Sequence, residues 1–264
     1  MKMKIVVLSA LLVCACTPVK TDLEKYALNC KAREVSLVSD TLELPYTVYF
    51  NSLGQADTVI TYNFDGSFRY KESYTYNKRH QLLEINGVNA ENENEARYEY
   101  DYSGRFISEC RLYGMNNQEM SRWVHTNDGR HIVRTEYYNE GMLSFVTSKK
   151  YDGMTYVEES CTGDGELMGK VDVAFLTDDK FTRIKGDDID VEIEYNDKAL
   201  PVKCRGTFVN TRGELMWSSE LDFHPECYYS YDYDERGNWI ARYERYHPDS
   251  TATVVIRRTV KYQK

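Results

Sequence analysis

Hydrophobic and polar residues alternate with a period of two along most of the chain, a pattern typical of β-strands that have one packed face and one wet face. The clearest unit is Tyr228–Tyr246, which reads Y-Y-S-Y-D-Y-D-E-R-G-N-W-I-A-R-Y-E-R-Y and predicts one β-hairpin. Side chains alternate along a strand, so two sets of residues each share a face of this hairpin. The two sets are Tyr229, Tyr231 and Tyr233 before the turn, and Trp239, Ala241 and Tyr243 after it.

The predicted turn of this hairpin is D-E-R-G-N. Gly237 can adopt the positive φ that a tight loop needs, and Asp234 can accept hydrogen bonds from the backbone ahead of it. Similar turn signals recur roughly every ten residues, which is typical of an all-β meander. They are Asn51–Gly54, Asp65–Gly66, Asn77–His80, Asn86–Asn94, Ser103–Gly104, Asn127–Gly129, Asn139–Gly141, Asp152–Gly153, Asp164–Gly165, Asn196–Asp197 and Thr211–Leu215.

We therefore predict an all-β fold, an elongated antiparallel meander of hairpins that curls into an open barrel or folds back as a sandwich. The alternation of acidic and apolar residues over Asp188–Tyr195 indicates one wet and one packed face. Thr21–Glu24 fits a capping box and predicts one short helix over about residues 22–29, which would plug one end of the β body. Residues 22–264 are expected to form a single domain.

The first 15 residues have the layout of a secretory signal, with two lysines followed by a short apolar run. Val13-Cys14-Ala15-Cys16 resembles a bacterial lipobox, and Cys16 is the expected lipidation site because a small Ala15 precedes it. Residues 16–21 would then form the tether. An Asp directly after the lipidated cysteine would suggest retention in the inner membrane, but Thr17 follows Cys16 here. The resemblance therefore implies an outer-membrane lipoprotein, either periplasmic or surface-exposed. The alternative is a cleaved signal without a lipid.

Charge and tyrosine content narrow the expected partners. Loss of Lys2 and Lys4 with the leader changes the formal net charge by two, from −9 to −11. An acidic surface opposes binding to nucleic acid and to anionic headgroups, so we expect contact with the membrane only through the lipid anchor. The chain has 23 Tyr against 9 Phe, a bias that suits half-exposed strands because the ring packs while the hydroxyl stays wet.

Five cysteines follow Cys16, an odd number without close spacing: Cys30, Cys110, Cys161, Cys204 and Cys227. The predicted compartment permits disulfides, and Cys204–Cys227 is the pair nearest in sequence. Buried free thiols that pack as small hydrophobic groups are the alternative.

Two of the turns resemble the tyrosine-aspartate (YD) repeat of Rhs-type bacterial surface and toxin proteins, whose core reads Tyr-Asp-x-x-Gly-Arg. Tyr100–Arg105 matches this core in full, and Tyr233–Asn238 matches it except for Asn238 in place of Arg. Fragments of this core recur over most of the mature chain. The chain also resembles secreted, uncharacterised lipoproteins that are built from such repeats. The resemblance implies stacked β-hairpins, and the chain is too short to form a shell around a toxin.

We find no intact catalytic motif, so an enzyme is the less favoured class, and we expect no cofactor and no metal. His125 and His131 flank one turn, but two ligands alone do not make a zinc site. His224, Glu226 and Cys227 are a second weak grouping, which a packed corner at Pro225 explains as well. Asp232–Gly237 begins like a calcium loop but places Arg236 where an oxygen ligand should be.

Aromatic side chains are the remaining candidate for function. Exposed Tyr and Trp on a rigid sheet stack on sugar rings or anchor protein partners, whereas on a packed face they form the core. The candidate binding residues are Trp123, Trp217, Trp239, Tyr137, Tyr229 and Tyr231. We therefore expect an envelope-tethered binding or scaffold lipoprotein that recognises a protein or glycan. A hydrolase of envelope or scavenged polymers and a purely structural envelope component are the alternatives.

Overall fold

The structure is a computed structural model that describes Tyr26, Leu28 and residues 32–39, 44–177, 180–187, 189–208, 226–247 and 249–263. The described chain is all-β, as predicted, and contains 18 strands. In order they are β1 (Ala32–Ser39), β2 (Tyr46–Phe50), β3 (Ala56–Tyr62), β4 (Phe68–Tyr76), β5 (Leu82–Asn89), β6 (Asn94–Ser103), β7 (Phe106–Gly114), β8 (Glu119–Asn127), β9 (Ile132–Asn139), β10 (Met142–Asp152), β11 (Thr155–Thr162), β12 (Leu167–Thr177), β13 (Lys180–Gly186), β14 (Ile189–Tyr195), β15 (Pro201–Phe208), β16 (Glu226–Tyr233), β17 (Trp239–Arg245) and β18 (Thr253–Tyr262).

Each strand pairs antiparallel with the next one along the chain, and β18 pairs back with β1, so the sheet closes into a barrel. Val35 of β1 lies opposite Val48 on one side and Val260 on the other. The predicted open barrel or sandwich is therefore wrong. Closure satisfies the backbone groups that two free edge strands would expose, and it joins strands from opposite ends of the sequence, which a local pattern does not reveal.

The predicted N-terminal helix is also wrong in the part that is described. Tyr26 lies in a turn, Leu28 lies outside regular secondary structure, and no helix occurs among the described residues. Both residues instead pack against the barrel, where the Tyr26 ring meets Phe50 edge-on at 5.5 Å and Leu28 is buried. The remainder of the predicted helix, the leader, Cys16 and the tether lie outside the described residues. Among the described residues we find no helical segment with the length and apolarity needed to cross a membrane.

The best-packed part of the interior lies at the junction where the barrel closes. Val35 and Val48 are directly opposed and almost fully buried, and Phe50 and Ala56 pack beside them. Ile256 of β18 is buried to the same degree. Val35 therefore marks the inner face, and the strand register carries that assignment around the barrel.

The outer face carries charged side chains that pair across strands. Arg111 contacts Asp101 at 2.7 Å and Glu99 at 3.7 Å on the neighbouring strand, and it contacts Glu109 at 2.7 Å on its own strand. Arg97 contacts Glu99, two residues along the same strand. The same arrangement recurs on the far side of the barrel in the pairs Arg183–Asp190, Arg205–Glu192, Lys203–Glu226 and Lys170–Glu159. Opposite charges on facing strands stabilise a sheet surface that is exposed to water.

Eight turns share one geometry of five residues. The N–H of the first residue donates to the carbonyl of the fifth, and the carbonyl of the first accepts a hydrogen bond from the N–H of the fourth. The fourth residue has positive φ in every case. The turns are Asn51–Gln55, Asn63–Ser67, Asn77–Gln81, Asn89–Glu93, Gly114–Gln118, Thr162–Glu166, Asn196–Leu200 and Asp234–Asn238. One of them shortens the predicted loop Asn86–Asn94, whose first four residues belong to β5.

Hydrogen bonds from one turn to the next tie together the rim that carries the β2–β3, β4–β5, β6–β7, β8–β9, β14–β15 and β16–β17 turns, named here the tied rim. Gln55 donates to the His80 carbonyl at 2.9 Å, and Gln81 donates to the Gly104 carbonyl at 2.8 Å. Lys198 reaches the Gly237 carbonyl in the same way. Each acceptor belongs to a residue with positive φ, so the special conformation of one turn supplies the contact for its neighbour.

Candidate binding wall inside the barrel

Three aromatic rings form a continuous row on the inner face of β8, β9 and β10. Trp123 lies opposite Tyr137, which lies opposite Phe145. The ring centroids are 5.2 Å apart for Trp123 and Tyr137 and 4.7 Å apart for Tyr137 and Phe145. All three side chains are half-buried. Barrels of about 16 to 18 strands are wide enough to leave an open interior. This row is named the aromatic wall.

A row of small polar side chains, the polar belt, lies beside the aromatic wall on the same face. Its members are paired in sequence across the strands: His125, Thr135, Thr147 and Ser160. His125 Nδ1 and Thr135 Oγ1 are 2.9 Å apart, and the hydroxyls of Thr147 and Ser160 are 3.4 Å apart. The belt thus places an imidazole and three hydroxyls within reach of the aromatic rings.

A buried ion pair extends the polar belt toward the tied rim. Lys149 Nζ lies 3.3 Å from Glu158 Oε2, and the two side chains are only 3% and 6% exposed. Lys149 also lies over the Tyr156 ring at 4.6 Å. Burial, with a smaller contribution from Lys149, lowers the pKa of His125 to about 4, so the imidazole is neutral at pH 7.

A second aromatic group borders the polar belt on its other side. His131 stacks on Tyr151 at 4.1 Å, and Tyr151 lies 5.1 Å from Tyr156, which is 5.9 Å from Phe175. Aromatic faces on both sides of a strip of hydrogen-bonding groups suit a ligand with flat apolar faces and polar edges. This arrangement is the most developed candidate site among the described residues.

The aromatic residues predicted from the sequence do not form one patch. Trp123 and Tyr137 lie in the aromatic wall, whereas Tyr229, Tyr231 and Trp239 lie on β16 and β17, across the barrel from it. Trp217 lies outside the described residues. All five described side chains face inward by register, so the outer face is not the aromatic one.

The group on β16 and β17 is engaged in packing. The Arg258 guanidinium lies 3.9 Å from the Trp239 ring, whose other neighbour Tyr231 is 6.1 Å away. Tyr231 donates its hydroxyl to the Pro201 carbonyl at 2.8 Å. Burial raises the pKa of Tyr231 to about 12 and raises the pKa of Tyr229 further. These rings stabilise the wall of the barrel, and both aromatic groups are half-buried.

The histidines that flank the Asn127–Gly129 turn have separate partners, His125 with Thr135 and His131 with Tyr151. Within the described ranges no three His, Cys, Asp or Glu side chains lie close enough to hold a metal ion. His224 of the second weak grouping lies outside the described residues.

Sequence reasoning missed the polar belt and the buried ion pair. Their only sequence signal is the parity of β10, where Phe145, Thr147, Lys149 and Tyr151 alternate with Val146, Ser148 and Lys150. Both sets mix polar and apolar residues, so the pattern alone did not show which one faces the interior.

No protein-family model matches the sequence, and no curated protein matches it. Among solved structures, a porin-like protein from Bacteroides uniformis matches with 9% identity and a TM-score of 0.43, over 87% of this chain and 96% of that one. A porin-like protein from Bacteroides vulgatus matches with 8% identity and a TM-score of 0.32, over 89% and 99%. The TcdB2-TccC3-Cdc42 structure matches with 11% identity and a TM-score of 0.18, over 81% of this chain but 17% of that chain. Neither family membership nor an activity follows from matches at these values.

Proposed function

We propose that this protein is an outer-membrane-tethered lipoprotein, anchored through Cys16, that recognises a glycan or an extended protein segment on the inner wall of its barrel. The aromatic wall carries the proposal. Its rings are half-buried and lie next to the polar belt, which supplies hydroxyl and imidazole groups to the edges of a ligand. Large rigid rings lose little entropy on binding and dominate the energetics of many recognition surfaces.

The charged side chains of the outer face favour a barrel that is surrounded by water and attached to the membrane by its tether. Arg97, Arg111 and Arg183 point outward and pair with carboxylates there. An Arg or Lys on the lipid-facing side of a membrane barrel costs about 2–4 kcal/mol at the bilayer midplane. The ring of paired charges therefore favours attachment by a lipid over insertion of the barrel itself.

The alternatives receive less support from the arrangement of carboxylates. A glycoside hydrolase needs two carboxyl groups about 5–10 Å apart. The inward-facing Glu72, Glu158 and Glu244 lie on β4, β11 and β17, which several strands separate, and Glu158 is paired with Lys149. A purely structural role accounts for the packing of these rings on one another, but it does not require the polar belt that lies beside them.

Adjacent residues of β9 provide a matched test, because Tyr137 faces inward and Tyr138 faces outward over Arg122. Binding is measured against an array of soluble glycans and envelope proteins. We expect Tyr137→Ala and Trp123→Ala to weaken binding by about tenfold or more, and Tyr138→Ala to leave it unchanged. Trp239→Ala should lower the midpoint of thermal unfolding and leave the affinity for the ligand nearly unchanged.

The recognition proposal fails if no ligand binds, or if Tyr138→Ala weakens binding as much as Tyr137→Ala does. The anchor has its own test in the mass of the N-terminal peptide from membrane fractions, which should begin with acylated Cys16. Cys16→Ala should move the protein from the membrane to the aqueous fraction. A Cys16→Ala protein that stays in the membrane would contradict a lipid-tethered barrel.

A further inference from the structure

Cys204 and Cys227 are direct partners across β15 and β16. The register places Lys203 opposite Tyr228, Cys204 opposite Cys227 and Arg205 opposite Glu226. Directly opposed residues of antiparallel strands have Cα atoms about 4.5 or 5.5 Å apart, and both separations lie within the range found in disulfides. We propose that Cys204 and Cys227 form a structural disulfide in the exported protein.

The surroundings of the pair favour a disulfide over a metal site. Both cysteines are thiols in the structure, and Cys227 is buried at 6% exposure on the inner face. A structural zinc site needs four ligands, and the described residues hold no group of three that could bind a metal ion. The register, which places the two cysteines directly opposite each other, is the observation that carries the disulfide.

Formation of the bond requires an oxidant, and a thiol-oxidising protein with its own reactive disulfide is the class expected in the cell envelope. The Cys204 thiolate attacks that disulfide and releases one thiolate of the oxidant. The Cys227 thiolate then attacks the Cys204 sulfur and releases the second. Overall, two protein thiols lose two protons and two electrons, and the oxidant's disulfide is reduced to two thiols.

Burial determines when this chemistry can occur. It raises the pKa of the Cys204 thiol, and it raises the pKa of the Cys227 thiol to about 12. Protonated thiols are poor nucleophiles, so both steps precede closure of the barrel. Once formed, the bond links β15 to β16 directly across the Cys204–Cys227 pair.

This inference rests on the exported location that the proposed function assigns. The experiment therefore uses two samples, one that tests whether the bond forms in the cell and one that tests whether the fold permits it. The full chain is isolated from the cell envelope, and a second sample is refolded with oxidised glutathione. Free thiols are alkylated without reductant, and the peptides are mapped by mass spectrometry. We expect a linked peptide pair containing Cys204 and Cys227 in both samples. Reductant should then lower the midpoint of thermal unfolding by about 5–10 °C.

Variants assign the effect to this pair. Cys204→Ser and Cys227→Ser should lose the response to reductant, whereas the matched controls Cys110→Ser and Cys161→Ser should keep it. Alkylated Cys204 and Cys227 in both samples would overturn the disulfide and leave the proposed function standing. A bond found only after refolding would show that the geometry permits the disulfide but that the protein in the envelope does not carry it, and this would overturn the proposal.

Discussion

Tyr100–Arg105 and Tyr233–Asn238 carry the same Tyr-Asp-x-x-Gly string, lie on the same rim of the barrel and fold into different turns. Asp234 directly follows β16, and its carboxylate accepts hydrogen bonds from the N–H groups of Arg236 and Asn238, each at 2.9 Å. Asp101 instead remains inside β6 with its side chain outward, 2.7 Å from Arg111. One aspartate caps a five-residue turn, and the other belongs to a surface ion pair.

The residues that follow the glycine explain the difference. Phe106 and Ile107 are both buried, and β7 begins at Phe106, so Gly104 and Arg105 form a two-residue turn between Ser103 and Phe106. The positive φ of Gly104 is at the first central position, as in a type II′ turn. The residue after Gly237 is instead Asn238, a small polar residue that is fully buried and forms the fifth position of the longer turn.

The two motifs still share one role. The carbonyl of Gly104 accepts a hydrogen bond from Gln81, and the carbonyl of Gly237 accepts one from Lys198. The glycine of each motif therefore links its turn to the preceding turn of the tied rim. The resemblance to the YD repeat corresponds to a shared position on the rim and not to a shared turn.

Removal of the capping carboxylate should give the largest effect. Asp234→Ala deletes the acceptor of two backbone N–H groups and of the Tyr262 hydroxyl. We expect a loss of about 2–4 kcal/mol in the free energy of unfolding, measured by urea denaturation. A loss no greater than that of Asp101→Ala would show that the two motifs do not differ energetically.

Asn238→Ala should follow in size. Asn238 is fully buried and donates to the Tyr262 hydroxyl at 2.7 Å. Its removal leaves polar groups inside the rim without a partner, so we expect a loss of about 1–3 kcal/mol. The comparison is Arg105→Ala at the corresponding position of the other motif, where an exposed side chain lies over the Phe106 ring and donates to the Gly129 carbonyl at 3.2 Å. Loss of these exposed contacts should lower the unfolding free energy by less than about 1 kcal/mol.

Asp234→Asn should be milder at neutral pH, because an Asn caps the turns at Asn51 and Asn77 with the same backbone hydrogen bonds. Burial of Asp234 opposes ionisation, but hydrogen bonds from Tyr262 and from two backbone N–H groups outweigh it and lower the carboxyl pKa. A lowered pKa in the folded state stabilises the protein above the ordinary pKa, and this stability is lost as the pH falls through the folded pKa. Urea denaturation at pH 7 and near pH 3 should therefore show a smaller acid-induced loss in Asp234→Asn than in the wild type. Equal losses would rule out Asp234 as a source of acid sensitivity.

Asp101→Ala should give the smallest effect. Its ion pair with Arg111 is exposed, and Arg111 keeps Glu109 at 2.7 Å when Asp101 is removed. We expect less than about 1 kcal/mol, and less again at high salt, because exposed ion pairs are screened. A larger loss that persists in 1 M salt would mean that Asp101 also supports the turn.

The local parts of the fold could be read from the sequence. The hairpin predicted over Tyr228–Tyr246 is present as β16 and β17. The Asp234 turn has the predicted cap and the predicted positive φ at Gly237. These features depend on neighbours within about five residues, where side-chain and backbone preferences act directly.

The aromatic candidates show the limit of that reading. Alternation placed Tyr229 and Tyr231 on one face, but it did not show that this face is the interior or that Trp123 and Tyr137 lie across the barrel from them. The polar belt was missed for the same reason. Its residues come from four strands, and only their register brings them into one row.

The sequence by itself determined most of the strands and turns, because each depends on residues that are close along the chain. The predicted common face of Trp239, Ala241 and Tyr243 is wrong, because an irregularity in the β16–β17 register turns Trp239 inward with Tyr231 and leaves Ala241 and Tyr243 facing outward. Tertiary structure alone decided that β18 pairs with β1, that the charged ladders face outward, and that Cys204 lies opposite Cys227. These outcomes depend on removing two sheet edges and on burying one face of every strand at once. They are properties of the closed sheet and not of any single hairpin.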